Sequence, residues 1–199
     1  MALVDKDGLT EREFLAAYRE KDYPKPSLTV DIAIFRPADE GVFQLLLIKR
    51  GGHPFLGCWA LPGGFVEKGE DADTAAAREL AEETGVTDLE LSQLGLYSTP
   101  GRDPRCWTVS EAYLAAVPAD AKASAGDDAA EAAWFDVTVA DRADGAKVLT
   151  ARHGADELNA VFEQADPPFG APRASLLGAD GFAFDHGRIV ADAWLLLNA

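Results

Sequence analysis

Residues 63 to 86, GGFVEKGEDADTAAARELAEETGV, set seven carboxylates against two cations, Lys68 and Arg78. Like charges three and four residues apart destabilise an isolated helix. The segment nevertheless has the marks of one. Asp71 is placed to cap a helix running to Thr84, and Gly85 follows as the residue that accepts positive φ. Glu79, Glu82 and Glu83 then fall within roughly 100° of arc. Ala77, Leu80, Ala81 and Thr84 centre on a different side, which suits packing on a sheet. The expectation is an α/β fold in which this helix is anchored on one side and displays three carboxylates on another.

An acidic helix face is most often simply solvated. Two features argue against that here. No Lys or Arg stands four residues after these glutamates, which is poor design for a free surface. A Pro62-Gly63-Gly64 bend also precedes the helix, and bare backbone there can approach a ligand or metal closely. Clustered hard oxygen donors suit Mg²⁺ or Mn²⁺, which keep waters and bridge to phosphates.

The flanks read as a sheet. LTEREFLAAYR, 9 to 19, has helical spacing with Thr10 as N-cap and Glu13 three residues on, and YPKPS, 23 to 27, is an extended linker. In LTVDIAIF, 28 to 35, Leu28, Val30, Ile32 and Ile34 alternate as in a strand, and VFQLLLIKR, 42 to 50, completes a hairpin after PADEG. Further strands are expected at 59–65 (short and broken by Pro-Gly-Gly), 89–97, 107–117 and 132–137, with a loop through the alanine- and aspartate-rich 118–133. Residues 139–181 are least legible: a strand near 147–152, a helix near 156–164 and a loop through DPPFGAP. The apolar spacing of 184–199 reads as a closing helix.

A net charge of −16, from 34 acidic and 18 basic residues, argues against a surface made for nucleic acid or anionic membrane. Cys58 and Cys106 form no CxxC pair, so a thiolate metal site is not expected. The first residues carry no apolar leader, and no run reaches the roughly 18 apolar residues of a span, so a cytoplasmic protein is expected.

The acidic segment also fits a longer pattern, G-x5-E-x7-R-E-U-x-E-E-x-G-U with U aliphatic. It reads here as Gly64, Glu70, Arg78, Glu79, Leu80, Glu82, Glu83, Gly85 and Val86 without departure. This resembles the signature of the Nudix hydrolases. The resemblance implies an α/β/α sandwich with a mixed β-sheet over 27–199, preceded by a helix and linker at 1–26. Against the resembled group, 139–181 reads as an insertion. It further implies that Glu79, Glu82 and Glu83 hold Mg²⁺ or Mn²⁺ with a carbonyl of the bend, taken as that of Gly63. Arg78 would orient these carboxylates, and Glu79, Glu82 and Arg78 form the catalytic set. The implied chemistry is metal-assisted hydrolysis of a nucleoside diphosphate linked to another group.

YPKPSLTVDIAIF, LLLIKRGGHPFLGCWALPGGFVEKGE, GRDPRCWTVSEAYLA and FDHGRIVADA extend the resemblance to ADP-ribose pyrophosphatases and to related Nudix-type regulators of NAD metabolism. The regulators continue into a winged-helix domain and tend to have a degraded box. Here the box is intact and 13 residues follow His186, which favours the enzyme. The expected reaction is ADP-ribose to AMP and ribose 5-phosphate, in a homodimer. Alternatives are a nucleoside triphosphate, nucleotide-sugar or dinucleotide substrate, or a non-catalytic ADP-ribose sensor.

Outside the box, Arg50, Arg102 and Arg105 are candidates for phosphate oxygens, since the guanidinium fork matches them. Trp107 can stack on adenine or pack the sheet, Phe55 carries the same ambiguity, and Trp59 is expected in the core. The resemblance allows a base from the helix, Glu79 or Glu82, or from a distant loop, where Asp127, Asp128 and Glu131 stand, with Glu111 as a strand alternative. His53 and His153 read as loop residues, and His186 as a packing or pocket-edge residue.

Overall fold

The computed structural model describes residues 3–19, 23–38, 41–121 and 129–199. Helix α1 spans Glu11–Arg19. Its start is a capping box: the Thr10 N–H donates to Glu13 Oε2 at 2.9 Å, and the Glu13 N–H to Thr10 Oγ1 at 3.4 Å. The strands are β1 (Ser27–Pro37), β2 (Phe43–Arg50), β3 (Trp59–Ala60), β4 (Ser92–Tyr97), β5 (Thr108–Ala116), β6 (Ala129–Asp141), β7 (Lys147–His153), β8 (Asp156–Ala165) and β9 (Arg173–Asp180). Two further helices, α2 (Ala72–Thr84) and α3 (His186–Leu197), complete the elements of the described residues.

The strands form one sheet in the order β4-β5-β1-β2-β6-β7-β8-β9, with β3 attached to β2. Strands β1 and β5 pair in parallel while every other pairing is antiparallel, so the sheet is mixed. Val30, Ile32, Ile34, Leu46 and Tyr113 pack on Ala75, Ala76 and Leu80 of α2. On the other face, Ala33, Phe35, Leu45, Leu47 and Phe135 pack on Ile189, Val190 and Ala193 of α3. This is the expected α/β/α sandwich. Because β1 is central, both of its faces are buried, and the alternation of its even positions is only half of its pattern.

The sheet curls around α3. Its end strands β4 and β9 meet where Arg173 Nη2 donates to the Leu94 carbonyl at 3.1 Å. Asp192, buried on α3, holds both: it accepts from Tyr97 Oη of β4 at 2.7 Å and from the Ala174 N–H of β9. At Gly95 a Cβ would lie 2.7 Å from Arg173 Nη2, so the contact needs glycine.

Segment 156–164 is a strand, not a helix. Leu158, Ala160 and Phe162 are buried while Asn159, Val161 and Glu163 are not, and this period of two lets β8 extend the sheet. Strand β9 follows the DPPFGAP loop, and β6 begins at Ala129, inside the stretch expected as loop. Residues 139–181 therefore continue the same sheet. On α2 the buried set is Ala75, Ala76, Leu80 and Thr84; Ala77 faces solvent.

Candidate active site

The helix caps are as the sequence implies. Asp71 accepts from the Thr74 N–H at 2.8 Å, and Gly85 takes φ 69° at the other end. Arg78 collects the acidic face. Its Nε and Nη2 donate to the two oxygens of Glu70 at 3.0 and 3.1 Å. Its Nη1 donates to Glu79 at 2.8 Å and Glu82 at 3.1 Å, and Nη2 also reaches the Phe65 carbonyl at 3.1 Å. These hydrogen bonds hold the arginine firmly protonated and depress the carboxyl of Glu70.

The bend is fastened to β1: the N–H groups of Val30 and Ile32 donate to the carbonyls of Gly64 and Pro62 at 2.9 and 2.8 Å. Among the described residues the Gly63 carbonyl between them accepts no hydrogen bond. The Gly63 N–H donates to Glu83 Oε2 at 2.7 Å. A Cβ on Gly64 would sit 2.4 Å from Glu79 Oε1, so that carboxylate lies directly against bare backbone. Burial pushes the Glu83 carboxyl up to about 8; the Gly63 N–H and the Arg50 charge oppose the shift, and Glu79 and Asp31 add to it.

Among the described residues no three carboxylates converge on one point: Arg78 draws Glu79 and Glu82 to one side and Gly63 holds Glu83. The donor set nonetheless fits a hard divalent cation. It offers two inward carboxylates, a third at the rim, an undonated carbonyl, and in Glu83 a buried carboxyl whose ionisation a nearby cation would favour.

Beside the bend lies a cleft of about 120 Å³, walled by Asp31, Arg50, Gly63, Gly64, Arg102, Arg105 and Phe184 among others. Arg50, at the end of β2, donates from Nε to the Pro54 carbonyl at 2.8 Å and stacks its guanidinium 4.9 Å from the Phe184 ring. Arg105 lies 5.1 Å from the Phe65 ring and 5.6 Å from Phe184, and Asp103 holds it at 2.7 Å. Burial, then the neighbouring Arg105 charge, lowers the Arg50 guanidinium from its ordinary value.

Other expectations change. Arg102 lines the cleft, but its guanidinium is engaged by carboxylates of the protein. Only 5% of its side chain is exposed, and its guanidinium bridges Asp185, at 3.0 and 2.7 Å, and Asp31, at 3.0 Å. Trp107 is 58% exposed and lies outside the cleft. Glu111 sits near Asp73 at the start of α2, its carboxyl raised by burial and then by that charge. Glu131 pairs with Lys49 at 3.7 Å, and neither Glu111 nor Glu131 lines the cleft. Asp127 and Asp128 fall outside the described residues. Trp59 is core, as expected, and Phe55 lies against Phe184, ring centroids 4.7 Å apart.

Sequence reasoning missed Asp31. It is buried in β1, and Ser110 Oγ and Arg102 donate to it at 2.6 and 3.0 Å. His186 Nδ1 accepts the Leu61 N–H at 2.9 Å, so its proton is on Nε2, which faces Asp31 Oδ1 at 3.3 Å. Desolvation works against the Asp31 charge, but His186, Arg102 and Ser110 outweigh it and hold the carboxyl far below its usual range. The available signal was a carboxylate in the middle of the apolar run LTVDIAIF.

Fold and site together define an α/β/α sandwich in which a glycine bend, leading into an acidic helix, shares a cleft with two arginines stacked on aromatic rings. A NUDIX domain is matched over residues 25–153, and the chain belongs to the NUDIX family. It is 44% identical over 110 residues to the ADPR responsive transcriptional repressor NtrR of Acinetobacter baylyi, covering 54% of this chain and 44% of that one. It is 46% identical over 115 residues to an ADP-ribose pyrophosphatase of Methanocaldococcus jannaschii, covering 58% and 64%. The chain thus spans less than two thirds of the length of either relative. Among solved structures, a MutT/nudix family protein from Enterococcus faecalis superposes with TM-score 0.75 at 37% identity, over 96% of this chain and 70% of that one. The NUDIX domain of Shewanella oneidensis NrtR, complexed with ADP ribose, gives TM-score 0.58 at 35% identity, over 64% and 84%. Nudix hydrolases generally use divalent metals. Among the described residues no helix is long and apolar enough to cross a membrane.

Proposed function

We propose that this chain hydrolyses the diphosphate of ADP-ribose to AMP and ribose 5-phosphate. The carrying observation is the cleft itself: the guanidinium groups of Arg50 and Arg105 line it together with Gly63 and Gly64, and Glu83 and Glu79 lie against those two glycines. Such an arrangement suits an anionic diphosphate bridged to carboxylates by a cation. Glu79, Glu82, Glu83 and the Gly63 carbonyl would hold Mg²⁺ or Mn²⁺, which supplies charge neutralisation and an acidified water. Arg50 and Arg105 take phosphate oxygens, with their planar groups fixed by the Phe184 and Phe65 rings. Arg78 orients Glu79 and Glu82. Glu82, 58% exposed at the rim, is the member of the set freest to take a proton from attacking water.

ADP-ribose is favoured as substrate because one relative is named an ADP-ribose pyrophosphatase and a solved relative holds ADP ribose. Similarity to an ADPR responsive repressor supports a second reading, binding without turnover. We read 27–199 as one catalytic unit and 1–26 as an appendage. Phe14, Leu15 and Tyr18 on α1 are exposed, which favours a homodimer that covers them. The acidic charge supports a cytoplasmic small-molecule enzyme without a nucleic-acid partner. A substrate panel in Mg²⁺ with product analysis tests this. AMP and ribose 5-phosphate as the preferred products support the proposal; a preferred triphosphate, or tight ADP-ribose binding with no products, overturns it.

A further inference from the structure

Where β3 ends, the backbone changes partners. Strand β3 lies between β2 and the segment 181–183: the Trp59 N–H donates to the Gly181 carbonyl at 3.3 Å, and the Ala183 N–H to the Trp59 carbonyl at 2.8 Å. Continued in register, this parallel pairing would give the Leu61 N–H to the Ala183 carbonyl. That carbonyl instead accepts the His186 N–H at 3.2 Å, because Phe184, at φ 52°, turns the chain into α3. Leu61 is buried, and a buried N–H without a partner is costly. The His186 side chain supplies the acceptor that the turn removed, with Nδ1 at 2.9 Å.

Nδ1 accepts only while the imidazole is neutral and its proton sits on Nε2. Asp31 Oδ1, 3.3 Å from Nε2, selects that form. Asp31 is fixed in turn by Ser110 and Arg102, and Arg102 by Asp185, the neighbour of His186 in the chain. The buried ion pairs that line the cleft therefore converge on one acceptor atom. What that atom holds is the residue that leads into the bend. Two residues on from Leu61, the Gly63 N–H holds Glu83 at 2.7 Å, and among the described residues the Gly63 carbonyl accepts no hydrogen bond.

We propose that His186 is a positioning residue for the divalent cation. Through Leu61 it sets the two peptide planes that meet at Gly63, one carrying the N–H that holds Glu83 and the other the carbonyl that would share the ion. The inference rests on the cation site read above in Glu79, Glu82, Glu83 and the Gly63 carbonyl. His186 itself touches neither cation nor substrate; it acts only through the backbone.

Two amides divide the contacts of the imidazole. In His186→Asn, Oδ1 falls near the place of Nδ1 and keeps the Leu61 N–H, while the contact with Asp31 is lost. In His186→Gln, the amide reaches the place of Nε2 and keeps Asp31, while Leu61 loses its acceptor. Each variant gives up one buried contact, so a role in stability alone predicts that the two behave alike. Positioning predicts a split, read by electron paramagnetic resonance of Mn²⁺ titrated into the protein without substrate. His186→Gln should bind Mn²⁺ about tenfold or more weakly, the usual cost of losing a group that orients a metal ligand, and His186→Asn should recover binding to within about twofold of wild type. An amide-to-ester replacement at Leu61 removes the same donor without touching His186 and should match the Gln variant. Equal Mn²⁺ binding by Asn and Gln, a weaker Asn, or wild-type affinity in the ester overturns the proposal. Wild-type protein that binds no Mn²⁺ refutes instead the cation site on which the proposal stands.

Discussion

His186 is the test of how the bend is held. It is 4% exposed, at the start of α3, and accepts the N–H of Leu61, itself 1% exposed and one residue before Pro62-Gly63-Gly64. His186→Leu strands that buried N–H, a loss of about 1–3 kcal/mol. It also removes one of three donors to Asp31, and a hydrogen bond to a charged group contributes roughly 1.5–3 kcal/mol. Together about 2.5–6 kcal/mol of stability should go. Asn at the same position places Oδ1 near the site of Nδ1, so His186→Asn should recover the Leu61 part and lose only the Asp31 part. Urea unfolding followed by tryptophan fluorescence reads both variants as shifts in midpoint at constant slope. The reasoning fails if Leu matches wild type within about 0.5 kcal/mol, the spread of ordinary surface substitutions, or if Asn is no better than Leu.

Glu82→Gln should lower turnover in Mg²⁺ by about 100-fold or more with an unchanged melting temperature, because the residue is a rim carboxylate; near wild-type rates would remove it from the site. In EDTA, Glu83 favours folding while protonated, so stability should fall as pH rises from its ordinary range near 4.5 through about 8. The slope is at most about 1.4 kcal/mol per pH unit, and a flat profile in wild type, or the same slope in Glu83→Gln, contradicts this. Arg102→Ala should destabilise by about 3–5 kcal/mol, since it leaves Asp31 and Asp185 without their cation, whereas Arg105→Ala should keep its fold and raise KM roughly tenfold; urea titration and steady-state kinetics separate the two. At Gly63 a Cβ would meet the Val30 carbonyl oxygen at 2.0 Å with φ at 149°, but at Gly64 it meets only the Glu79 side chain. Gly63→Ala should therefore lose stability, while Gly64→Ala keeps it and weakens Mn²⁺ binding seen by electron paramagnetic resonance.

Helix α2 was legible because its caps, period and charge agree: Asp71, Gly85 and the glutamate spacing all place one helix in one register. Strand β8 was not, because Asn159, Glu163 and Gln164 dilute an alternation that only Leu158, Ala160 and Phe162 reveal. Strand β9 buries little beyond Ala174, so its apolar pattern has almost no amplitude. The arginines show a different limit. Arg102 and Arg105 lie three residues apart in GRDPR, and the guanidinium fork suits a carboxylate as well as a phosphate. Only the approach of Asp31 and Asp185 from other parts of the chain turns Arg102 into a structural ion pair.

Strand β1 explains why such distant segments form one site. Its consecutive residues serve different partners. The N–H groups of Val30 and Ile32 fix the Gly64 and Pro62 carbonyls, while the side chain of Asp31, between them, fixes Arg102 and His186. His186 returns to the bend through Leu61, so the loop before α2 is held from β1 directly and from α3 indirectly. A bend held twice has little freedom to follow a mobile ligand, whereas Glu79 and Glu82, drawn aside by Arg78, must turn toward Glu83 to share a cation.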